Sequence, residues 1–325
     1  KIVIEKSTLP VRTAEKIKEI LDKQGNGVHF EILSNPEFLA EGTAIQDLFK
    51  SDRVLIGGDP TETGQKAVQA LVEIYANWIP KEKILTTNVW SSELSKLASN
   101  AMLAQRVSSI NSLSALCEKT GANINELSKA IGMDHRIGTK FLKASVGFGG
   151  SCFQKDILNL VYLCRHYGLN EVAEFWHQVI KINDYQKNRF AQKIIDYFGG
   201  NLRGKKITIL GWAFKANTND SRESPSISVA AKLLDAGATL QIYDPMVSIS
   251  VIYKDINGWL KILAETNNIN KNIQVIDSLN KLDLSSDAIA ILTEWDLFKN
   301  FDYSKSKVFD GRNILDKESL QELNI

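Results

Sequence analysis

The segment Lys205-Lys-Ile-Thr-Ile-Leu-Gly-Trp-Ala-Phe-Lys215 has the pattern of a buried strand that ends in a glycine turn. A short apolar run bounded by turn residues is typical of a strand in a covered sheet. A helix is predicted from Ser224-Pro225 to Ala236, because serine favours the N-cap and proline the first helical position. Further strand-like runs follow at 240–243, 273–276, 288–292 and 308–309. This alternation predicts a parallel, Rossmann-like sheet.

The first part of the chain repeats the strand–helix–strand pattern. A strand over Lys1-Ile-Val-Ile-Glu5 precedes a helix that follows Pro10, and a second strand-like run spans residues 29–33. Shorter strand signals lie at 54–57 and 84–86. Because the chain starts in a strand and without methionine, we expect the natural protein to extend before Lys1.

A long helix is predicted between these two parts. No Gly or Pro interrupts residues 91–120, apolar residues recur there at helical spacing, and Gly121 follows. A shorter helix at 124–131, a glycine-rich segment and further helical patterns lead to about residue 198. The expected fold is α/β, with two Rossmann-like parallel-sheet domains, the first incomplete, joined by a long central helix and a helical connector. The expected domains are residues 1–88, 89–200 and 201–325.

The composition excludes several classes of protein. Thirty-nine Lys and Arg oppose 38 Asp and Glu, and no run of like charges predicts a nucleic-acid or membrane partner. The apolar runs are far shorter than the roughly 18 residues of a membrane helix. Three scattered cysteines form neither a disulfide framework nor a zinc site, which favours the reducing cytoplasm. The four histidines show no ligand spacing, so we predict no metal site.

The segment Gly147-Phe-Gly-Gly-Ser-Cys-Phe-Gln-Lys-Asp156 carries the strongest chemical signal. Its glycines let the backbone adopt left-handed angles and approach a ligand closely. Cys152 would begin the following helix, where the positive end of the helix dipole makes a thiol easier to ionise. Asp156 lies one turn later on the same face. The alternative is that Cys152 is a small buried residue, which is our interpretation of Cys117 and Cys164.

A second segment, Asn35-Pro-Glu-Phe-Leu-Ala-Glu-Gly-Thr43, places two carboxylates four residues apart. Asn35 and Pro36 can begin a helical turn and Gly42 can end it, so that Glu37 and Glu41 would be stacked on one face. Paired carboxylates can perform acid–base work. A solvated acidic helix face is the alternative.

Lysines in two places are further candidates. Lys96 and Asn100 are four residues apart on the long helix, where neighbouring apolar residues could desolvate the lysine. An ordinary exposed lysine is the alternative. Arg136, Lys140 and Lys143 form a basic cluster before the glycine loop that could hold a diphosphate. A solvated loop is the alternative for this cluster.

Together these segments resemble the UDP-glucose/GDP-mannose dehydrogenase family, and its animal-type members most closely. The motifs that carry the resemblance lie at residues 5–11, 33–44, 91–96 with Asn100, 141–156 and 309–312. The resemblance covers nearly the whole chain and thins only between about residues 249 and 280.

The resemblance implies an NAD-dependent oxidation of UDP-glucose to UDP-glucuronate. The C6 alcohol passes through an aldehyde, a thiohemiacetal and a cysteine thioester, with two hydride transfers. Cys152 matches the nucleophile, and Lys96 and Asp156 match the pair that handles a water and the alcohol proton. Glu37 matches the carboxylate assigned to thioester hydrolysis, and Asn100 matches an oxyanion or sugar contact.

The resemblance also implies binding residues and partners. Those for the UDP-sugar are Phe38, Leu39, Ala40, Glu41, Phe141, Leu142, Lys143, Ala144, Ser145, Phe148, Gly149, Phe214, Lys215 and Arg312, with Arg136 contributed across a subunit interface of a homo-oligomer. Those for NAD are Thr8, Glu41, Lys155 and Arg222. A dimer through the long helix is expected, and the sequence does not distinguish it from a hexamer.

Two expectations qualify this interpretation. The family's glycine-rich pyrophosphate turn and acidic ribose-binding residue are not in the sequence, and the turn after Gly211 has no G-x-G-x-x-G, so we expect the 325-residue chain to bind NAD poorly or not at all. A related dehydrogenase acting on GDP-mannose or UDP-N-acetylmannosamine remains an alternative, as does a catalytically inactive UDP-sugar-binding module.

Overall fold

The structure, a computed structural model, describes residues 1–262 and 272–315. The chain divides into two compact units. The first unit consists of Lys1–Met102 and Asp156–Glu174, and the second of Leu103–Lys155 and Phe175–Ile325.

The first unit contains a sheet with helices between its strands. Its elements are β1 (Ile2–Glu5), α1 (Thr13–Gln24), β2 (Glu31–Ser34), α2 (Ala44–Phe49), β3 (Val54–Gly57), α3 (Glu62–Tyr75), a 3-10 turn (Lys81–Lys83) and β4 (Ile84–Thr87). The strand order is β1-β2-β3-β4. The β1-α1-β2 unit is parallel, as predicted, and so is the β3–β4 pair. The one departure from a parallel sheet is the junction of β2 and β3, which meet antiparallel at Ser34 and Gly57.

Helix α3 covers this sheet with the apolar face that its sequence predicts. Ala67, Val68 and Leu71 on α3 pack in one buried cluster with Leu33 of β2 and Ile56 of β3. Full burial of a Val, Leu or Ile side chain stabilises the fold by roughly 1.5–3 kcal/mol. The packing of α3 therefore holds β2 and β3 in place, together with the loops that follow them.

Four helices form the middle of the chain. They are α4 (Val89–Thr120), α5 (Ile124–Gly132), α6 (Phe153–His166) and α7 (Asn170–Tyr197). The predicted long helix is confirmed, and it ends where Gly121 takes the left-handed angle φ of 78° that favours glycine. The predicted shorter helix is α5, and the glycine-rich segment between α5 and α6 has no regular secondary structure.

The second unit contains a sheet that is parallel throughout its described strands. Its elements are β5 (Lys206–Leu210), α8 (Pro225–Asp235), β6 (Thr239–Tyr243), α9 (Ile249–Ile262), β7 (Ile273–Ile276), β8 (Ala288–Ile291) and β9 (Lys307–Asp310), with 3-10 turns at Leu279–Lys281 and Asp296–Asn300. The order is β7-β6-β5-β8-β9, so β6 and β7 are added on one side of β5, and β8 and β9 on the other, with a switch point between β5 and β8. Open parallel sheets bind ligands at such a switch point, beyond the carboxyl ends of the strands.

The predicted start of α8 is confirmed, since the Ser224 hydroxyl accepts a hydrogen bond from the Ser226 N–H and Pro225 is the first helical residue. Helix α9 and the residues after it lie where the family resemblance thins, and residues 263–271 lie outside the described residues. Within residues 1–262 and 272–315, no helix is both long enough and apolar enough to cross a membrane.

Candidate active site

The three cysteines lie in different environments. Cys152 directly precedes α6 and its thiol is exposed, with Ser151 Oγ 3.6 Å from the Cys152 sulfur. Cys117 and Cys164 are buried, and burial raises the pKa of the Cys164 thiol. The interpretation of Cys117 and Cys164 as packing residues is therefore confirmed. The alternative that Cys152 is also a small buried residue is wrong.

The glycine loop before Cys152 is held by a buried amide of α7. Asn183, fully buried, accepts a hydrogen bond from the Phe148 N–H at 2.8 Å and donates one to the Phe148 carbonyl at 3.0 Å. Gly147 has a φ of 127°, and a Cβ there would lie 2.8 Å from Asn183 Oδ1. Glycine is therefore required at 147 both by its backbone angle and by the approach of the amide.

Ser145 is held in the same way from two helices. Its N–H donates to Asn111 Oδ1 at 2.8 Å, and its carbonyl accepts from Gln186 Nε2 at 2.7 Å. The next residue, Val146, donates its N–H to the carbonyl of Gly311, just after β9. These hydrogen bonds fix the loop backbone. The Phe148 side chain lines a cavity beside the loop.

An open cavity of about 280 Å³ lies in the second unit against this loop. Eight of the residues predicted to bind the UDP-sugar line it, namely Phe141, Lys143, Ser145, Phe148, Gly149, Phe214, Lys215 and Arg312. Gly149 permits the close approach of two segments, since a Cβ there would lie 2.5 Å from the Glu223 carbonyl oxygen. The cavity therefore combines aromatic walls with cationic side chains.

Arg312 ties together the loops at the carboxyl edge of the second sheet. It is buried, and its guanidinium donates to the carbonyls of Leu292 at 2.7 Å and Phe214 at 2.8 Å. Its Nε also lies 3.2 Å from a carboxylate oxygen of Glu294. These contacts orient a positive charge at the cavity, beside the switch point between β5 and β8.

Some predicted binding residues lie elsewhere. Leu142 and Ala144 are buried in a cluster with Ile110, so their side chains do not line the cavity. Arg136 is exposed, and its guanidinium pairs with both oxygens of Asp134. Of the basic cluster 136–143, only Lys143 among the three predicted cations lines this cavity.

In the first unit, Lys96 is buried against an aromatic ring. The residue is 9% exposed, and its Nζ lies 5.3 Å from the centroid of Phe38. The alternative of an ordinary exposed lysine is therefore wrong. An ammonium over a ring face gains electrostatic attraction that is larger when water is excluded.

Asn100 and Asp156 form a direct pair in the same unit. Asn100, one helical turn after Lys96, donates from Nδ2 to Asp156 Oδ2 at 2.5 Å. Asp156 is 1% exposed and lies in the first turn of α6. A short hydrogen bond to a buried carboxylate fixes the orientation of that carboxylate.

The predicted helical turn over residues 35–42 is wrong. Residues 35–40 are extended or irregular, and helix α2 begins only at Ala44. The reason is that Asn35 is buried and its side chain is bound to distant residues. Its Nδ2 donates a hydrogen bond to the Leu55 carbonyl, and its Oδ1 accepts one from the Tyr75 hydroxyl. Glu37 is instead exposed and lies 3.6 Å from the ammonium of Lys6.

The residues predicted to contact NAD lie in loops, except Lys155, which is helical. Thr8 follows the carboxyl end of β1, whose parallel partner is β2. Glu41 stands in the turn before α2 and Lys155 in the first turn of α6. Arg222 is exposed and its guanidinium is paired with Asp220. Across residues 1–262 and 272–315, no three His, Cys, Asp or Glu side chains are grouped to hold a metal ion.

Family models match the chain in three places. The NAD binding domain of the UDP-glucose/GDP-mannose dehydrogenase family matches residues 1–79, its central domain matches 90–185, and its UDP binding domain matches 208–317. "UDP-glucose 6-dehydrogenase 4" of Oryza sativa subsp. japonica is 54% identical over 338 residues, which cover 99% of this chain and 70% of the relative. This chain belongs to the UDP-glucose/GDP-mannose dehydrogenase family.

Two further similarities agree with this membership. The family member named "UDP-glucose 6-dehydrogenase" in Drosophila melanogaster is also 54% identical, over 99% of this chain and 70% of its own length. A solved UDP-glucose dehydrogenase from Pyrobaculum islandicum is 32% identical with a TM-score of 0.83, over 98% of this chain and 68% of that chain. The predicted fold class, the predicted NAD cofactor and the prediction of an NAD-dependent dehydrogenase are confirmed.

Sequence reasoning missed several residues of the cavity and of the loop beside it. Val107, Phe153 and Glu294 line the cavity, and the amides of Asn111 and Asn183 hold its loop. Glu294 could have been found, since it follows β8 at the edge where the carboxyl ends of parallel strands meet. The amides could not, because nothing in a helical pattern states which distant backbone group an inward-facing Asn will meet.

Proposed function

We propose that the natural protein performs the NAD-dependent oxidation of UDP-glucose to UDP-glucuronate, with Cys152 as the nucleophile. The observation that supports this most directly is the exposed Cys152 thiol between the glycine loop and α6, in a chain whose other cysteines are buried. An exposed thiol beside a ligand cavity is available for covalent chemistry, whereas buried thiols are not.

The proposed reaction uses the thiol between two oxidations. The C6 alcohol loses a proton and a hydride and becomes an aldehyde, to which the Cys152 thiolate adds to form a thiohemiacetal. Loss of a second hydride leaves a thioester. Water cleaves the thioester, which releases the carboxylate and returns the thiolate. Each substrate therefore gives up two hydrides and takes the oxygen of one water.

Lys96, Asn100 and Asp156 are the proposed partners in this chemistry. The buried ammonium of Lys96 can stabilise negative charge that develops on the substrate oxygen. Asp156, oriented by the Asn100 amide, can accept a proton from the alcohol or from water. Glu37, exposed and ion-paired with Lys6, is the proposed carboxylate for hydrolysis of the thioester.

The cavity of the second unit is the proposed binding site for the UDP-sugar. Lys143, Lys215 and Arg312 supply the positive charge that a diphosphate requires, and the aromatic rings supply apolar walls. Phe38 to Glu41 are proposed to contact the sugar, and Leu142 and Ala144 to act through their backbone. Arg136 is proposed to reach a neighbouring subunit of a homo-oligomer.

NAD, when bound, supplies the acceptor for each hydride. Thr8, Glu41, Lys155 and Arg222 are the proposed residues that hold it. Their chemistry fits the cofactor, because a hydroxyl and two cations suit phosphates and a carboxylate suits hydroxyl groups. Thr8 also lies beyond the carboxyl end of a strand in a β-α-β unit, the edge at which such sheets bind dinucleotides.

The proposed division of labour follows the chain. Residues 1–88 contribute to NAD binding, 89–200 contain the catalytic loop and the dimer contact, and 201–325 bind the UDP-sugar. Helix α4 supports the dimer contact because it exposes large apolar side chains, including Trp90, Leu94 and Leu116. The need for a reduced Cys152 thiol supports action in the cytoplasm.

A substrate comparison tests the proposed function. The full-length natural protein is given NAD with UDP-glucose, GDP-mannose or UDP-N-acetylmannosamine, and NADH and sugar acid are measured. We expect UDP-glucose to be oxidised fastest and to yield two NADH per UDP-glucuronate. Faster oxidation of either other sugar would reassign the substrate, and binding of UDP-glucose without NADH would indicate a binding module.

The nucleophile is tested by serine substitutions in the same assay. Cys152→Ser should lower formation of UDP-glucuronate by at least about 10²-fold, the loss typical of removing a group that acts in the transition state. The matched control is Cys164→Ser, which changes a buried packing thiol and should leave turnover within about twofold. Normal turnover of Cys152→Ser would refute the assignment.

A further inference from the structure

Arg53, which directly precedes β3, contacts the ring that lies under Lys96. Its guanidinium carbon is 3.9 Å from the centroid of Phe38, closer than the 5.3 Å of the Lys96 ammonium from the same centroid. Two cations therefore share one ring. The Arg53 contact is the tighter one, so it has the larger influence on where the ring lies.

Arg53 also contacts the helix that carries Lys96. Its Nη2 donates to Ser99 Oγ at 3.1 Å, and Ser99 is three residues after Lys96, on the next turn of α4. The distance in sequence between Arg53 and Ser99 is 46 residues, so the bond joins two separate elements. One side chain thus holds both the Phe38 ring and the helix turn beside Lys96.

The Phe38 ring needs such support because its own segment has no regular secondary structure. Residues 35–40 form neither helix nor strand, and the Phe38 side chain is only half-buried. An aromatic side chain in an irregular segment can rotate about χ1 unless its neighbours pack against it. The guanidinium, planar and fixed at its other end by Ser99, supplies that packing.

We propose that Arg53 is a positioning residue for Lys96, and that it acts through the Phe38 ring. The proposal rests on the proposed role of Lys96 in the reaction. Without the guanidinium, the ring is free to leave the Lys96 ammonium, and the ammonium loses its contact with the ring. The loss affects charge stabilisation during the reaction more than binding of the UDP-sugar.

A double-mutant cycle in the full-length natural protein tests this route. Arg53→Gln and Phe38→Leu are measured alone and together, with kcat and the KM for UDP-glucose determined for each. We expect each single change to lower kcat by roughly tenfold, as for the loss of one desolvated cation–π contact. The double variant should be no more than about twofold worse than the worse single variant, because both changes break one contact chain.

Rescue by charge separates positioning from simple destabilisation. Arg53→Lys keeps a cation over the ring and should recover most of the kcat lost in Arg53→Gln, while the KM of both Arg53 variants stays within about twofold of that of the unmodified protein. Independent, multiplicative losses in the double variant would overturn the proposal. So would a loss confined to KM, or an Arg53→Lys variant as slow as Arg53→Gln.

Two controls keep the result interpretable. Lys307→Gln removes a comparable cation–ring contact, 5.3 Å above Tyr197 in the second unit, and should leave kcat unchanged. If Arg53→Gln does not fold, Ser99→Ala removes only the hydrogen bond that fixes the guanidinium, and it should lower kcat about two- to threefold. Unchanged kcat in Ser99→Ala would then count against the proposal.

Failure of this inference is distinguishable from failure of the proposed function. Lys96→Ala is measured in the same series and should lose at least about 10²-fold in kcat. If Lys96→Ala is slow while Arg53→Gln is normal, only the role of Arg53 is refuted. If Lys96→Ala itself turns over normally, the catalytic role of Lys96 is refuted and the inference falls with it.

Discussion

Glu5 and Asp244 are two carboxylates at the ends of strands, and each is 7% exposed. Glu5 is the last residue of β1 in the first unit, and Asp244 directly follows β6 in the second. They differ in the donors that face them. Asp244 accepts hydrogen bonds from four backbone N–H groups and one indole, those of Trp212, Ala213, Met246, Val247 and Trp295.

Glu5 has the opposite surroundings. Among the described residues, neither of its side-chain oxygens accepts a hydrogen bond. Burial, and then the neighbouring carboxylate of Glu93, raise the pKa of Glu5 from 4.5 to about 7. The two side chains are equally buried but differ in their donors, and a buried carboxyl group without donors, such as that of Glu5, favours its neutral form.

The position of Asp244 supports the prediction that the turn after β5 does not hold a dinucleotide. The Trp212 and Ala213 N–H groups, which directly follow Gly211 in that turn, both donate to Asp244 Oδ2, at 2.7 and 3.0 Å. In a dinucleotide-binding turn such N–H groups face a phosphate. Here a carboxylate from the chain itself takes that role.

Asp244→Asn should have the largest effect on stability. Asparagine offers one acceptor oxygen in place of two and points an NH₂ group at N–H donors, so two or more buried donors lose their partner. At roughly 1–3 kcal/mol for each of two donors, we expect the free energy of unfolding to fall by about 2–6 kcal/mol. Urea denaturation followed by circular dichroism measures it. Asp277→Asn, at an exposed ion pair, is the control and should change stability by less than about 1 kcal/mol.

Glu5→Gln should show the next largest effect, and its sign depends on pH. The folded-state pKa of Glu5, about 7, lies above its ordinary value of 4.5. Between these values the unfolded chain releases the proton and the folded chain keeps it. The contribution of protonated Glu5 to the free energy of unfolding is therefore fully present below about pH 4.5. It is lost as the pH rises through 7, by roughly 3 kcal/mol in total.

Glutamine stays neutral, so the Glu5→Gln variant should be more stable than the natural protein at pH 8 and similar to it at pH 5. Urea midpoints measured from pH 5 to pH 8 give the comparison. Glu15→Gln, which alters an exposed carboxylate of α1 paired with Arg12, should not flatten this profile. An unchanged pH profile in Glu5→Gln would show that Glu5 does not carry the titration.

Glu93→Gln should have the smallest effect and separates the two causes of the Glu5 shift. Glu93 accepts hydrogen bonds from the N–H groups of Arg12 and Ala14, at the start of α1. Glutamine can keep one of them, so we expect a loss of about 1 kcal/mol at pH 5. Because the neighbouring charge is gone, the pKa of Glu5 should fall. The pH range over which Glu5 lowers the stability should then end at a lower pH. If that range ends at the same pH as in the natural protein, burial alone raises the pKa of Glu5.

The buried state of Glu5 could not be predicted from the sequence. Residues 1–5 read as a strand, and a terminal Glu on a short strand is normally exposed. It is nevertheless buried, and Glu93, which accepts hydrogen bonds at the start of α1 from 81 residues away in sequence, lies near it. The direction of β3 against β2 belongs to the same class of features, since apolar patterning states that a strand is buried but not which way its neighbour runs.

The candidate site divides in a similar way. The glycine spacing and the helix start located Cys152 and the loop, because backbone angles and helix caps depend on neighbouring residues alone. Other features depend on residues that meet only after folding. They are the burial of Lys96, the contact of Arg53 with Phe38 and the hydrogen bond between Asn183 and Phe148. The helical turn over 35–42 failed for this reason, since Asn35 is held by Leu55 and Tyr75 rather than by its own neighbours.

The sequence by itself predicted the long helix α4, helices α5 and α8, most strand boundaries and the parallel second sheet, and it favoured Cys152 over the other two cysteines for chemistry. These follow from local periodicity, caps and glycine positions, which act over a few residues. Only the tertiary structure decided which polar groups are buried and which donors face them. Those outcomes set the pKa of Glu5 and the surroundings of Lys96, because the electrostatics of a buried group depend on partners brought from distant parts of the chain.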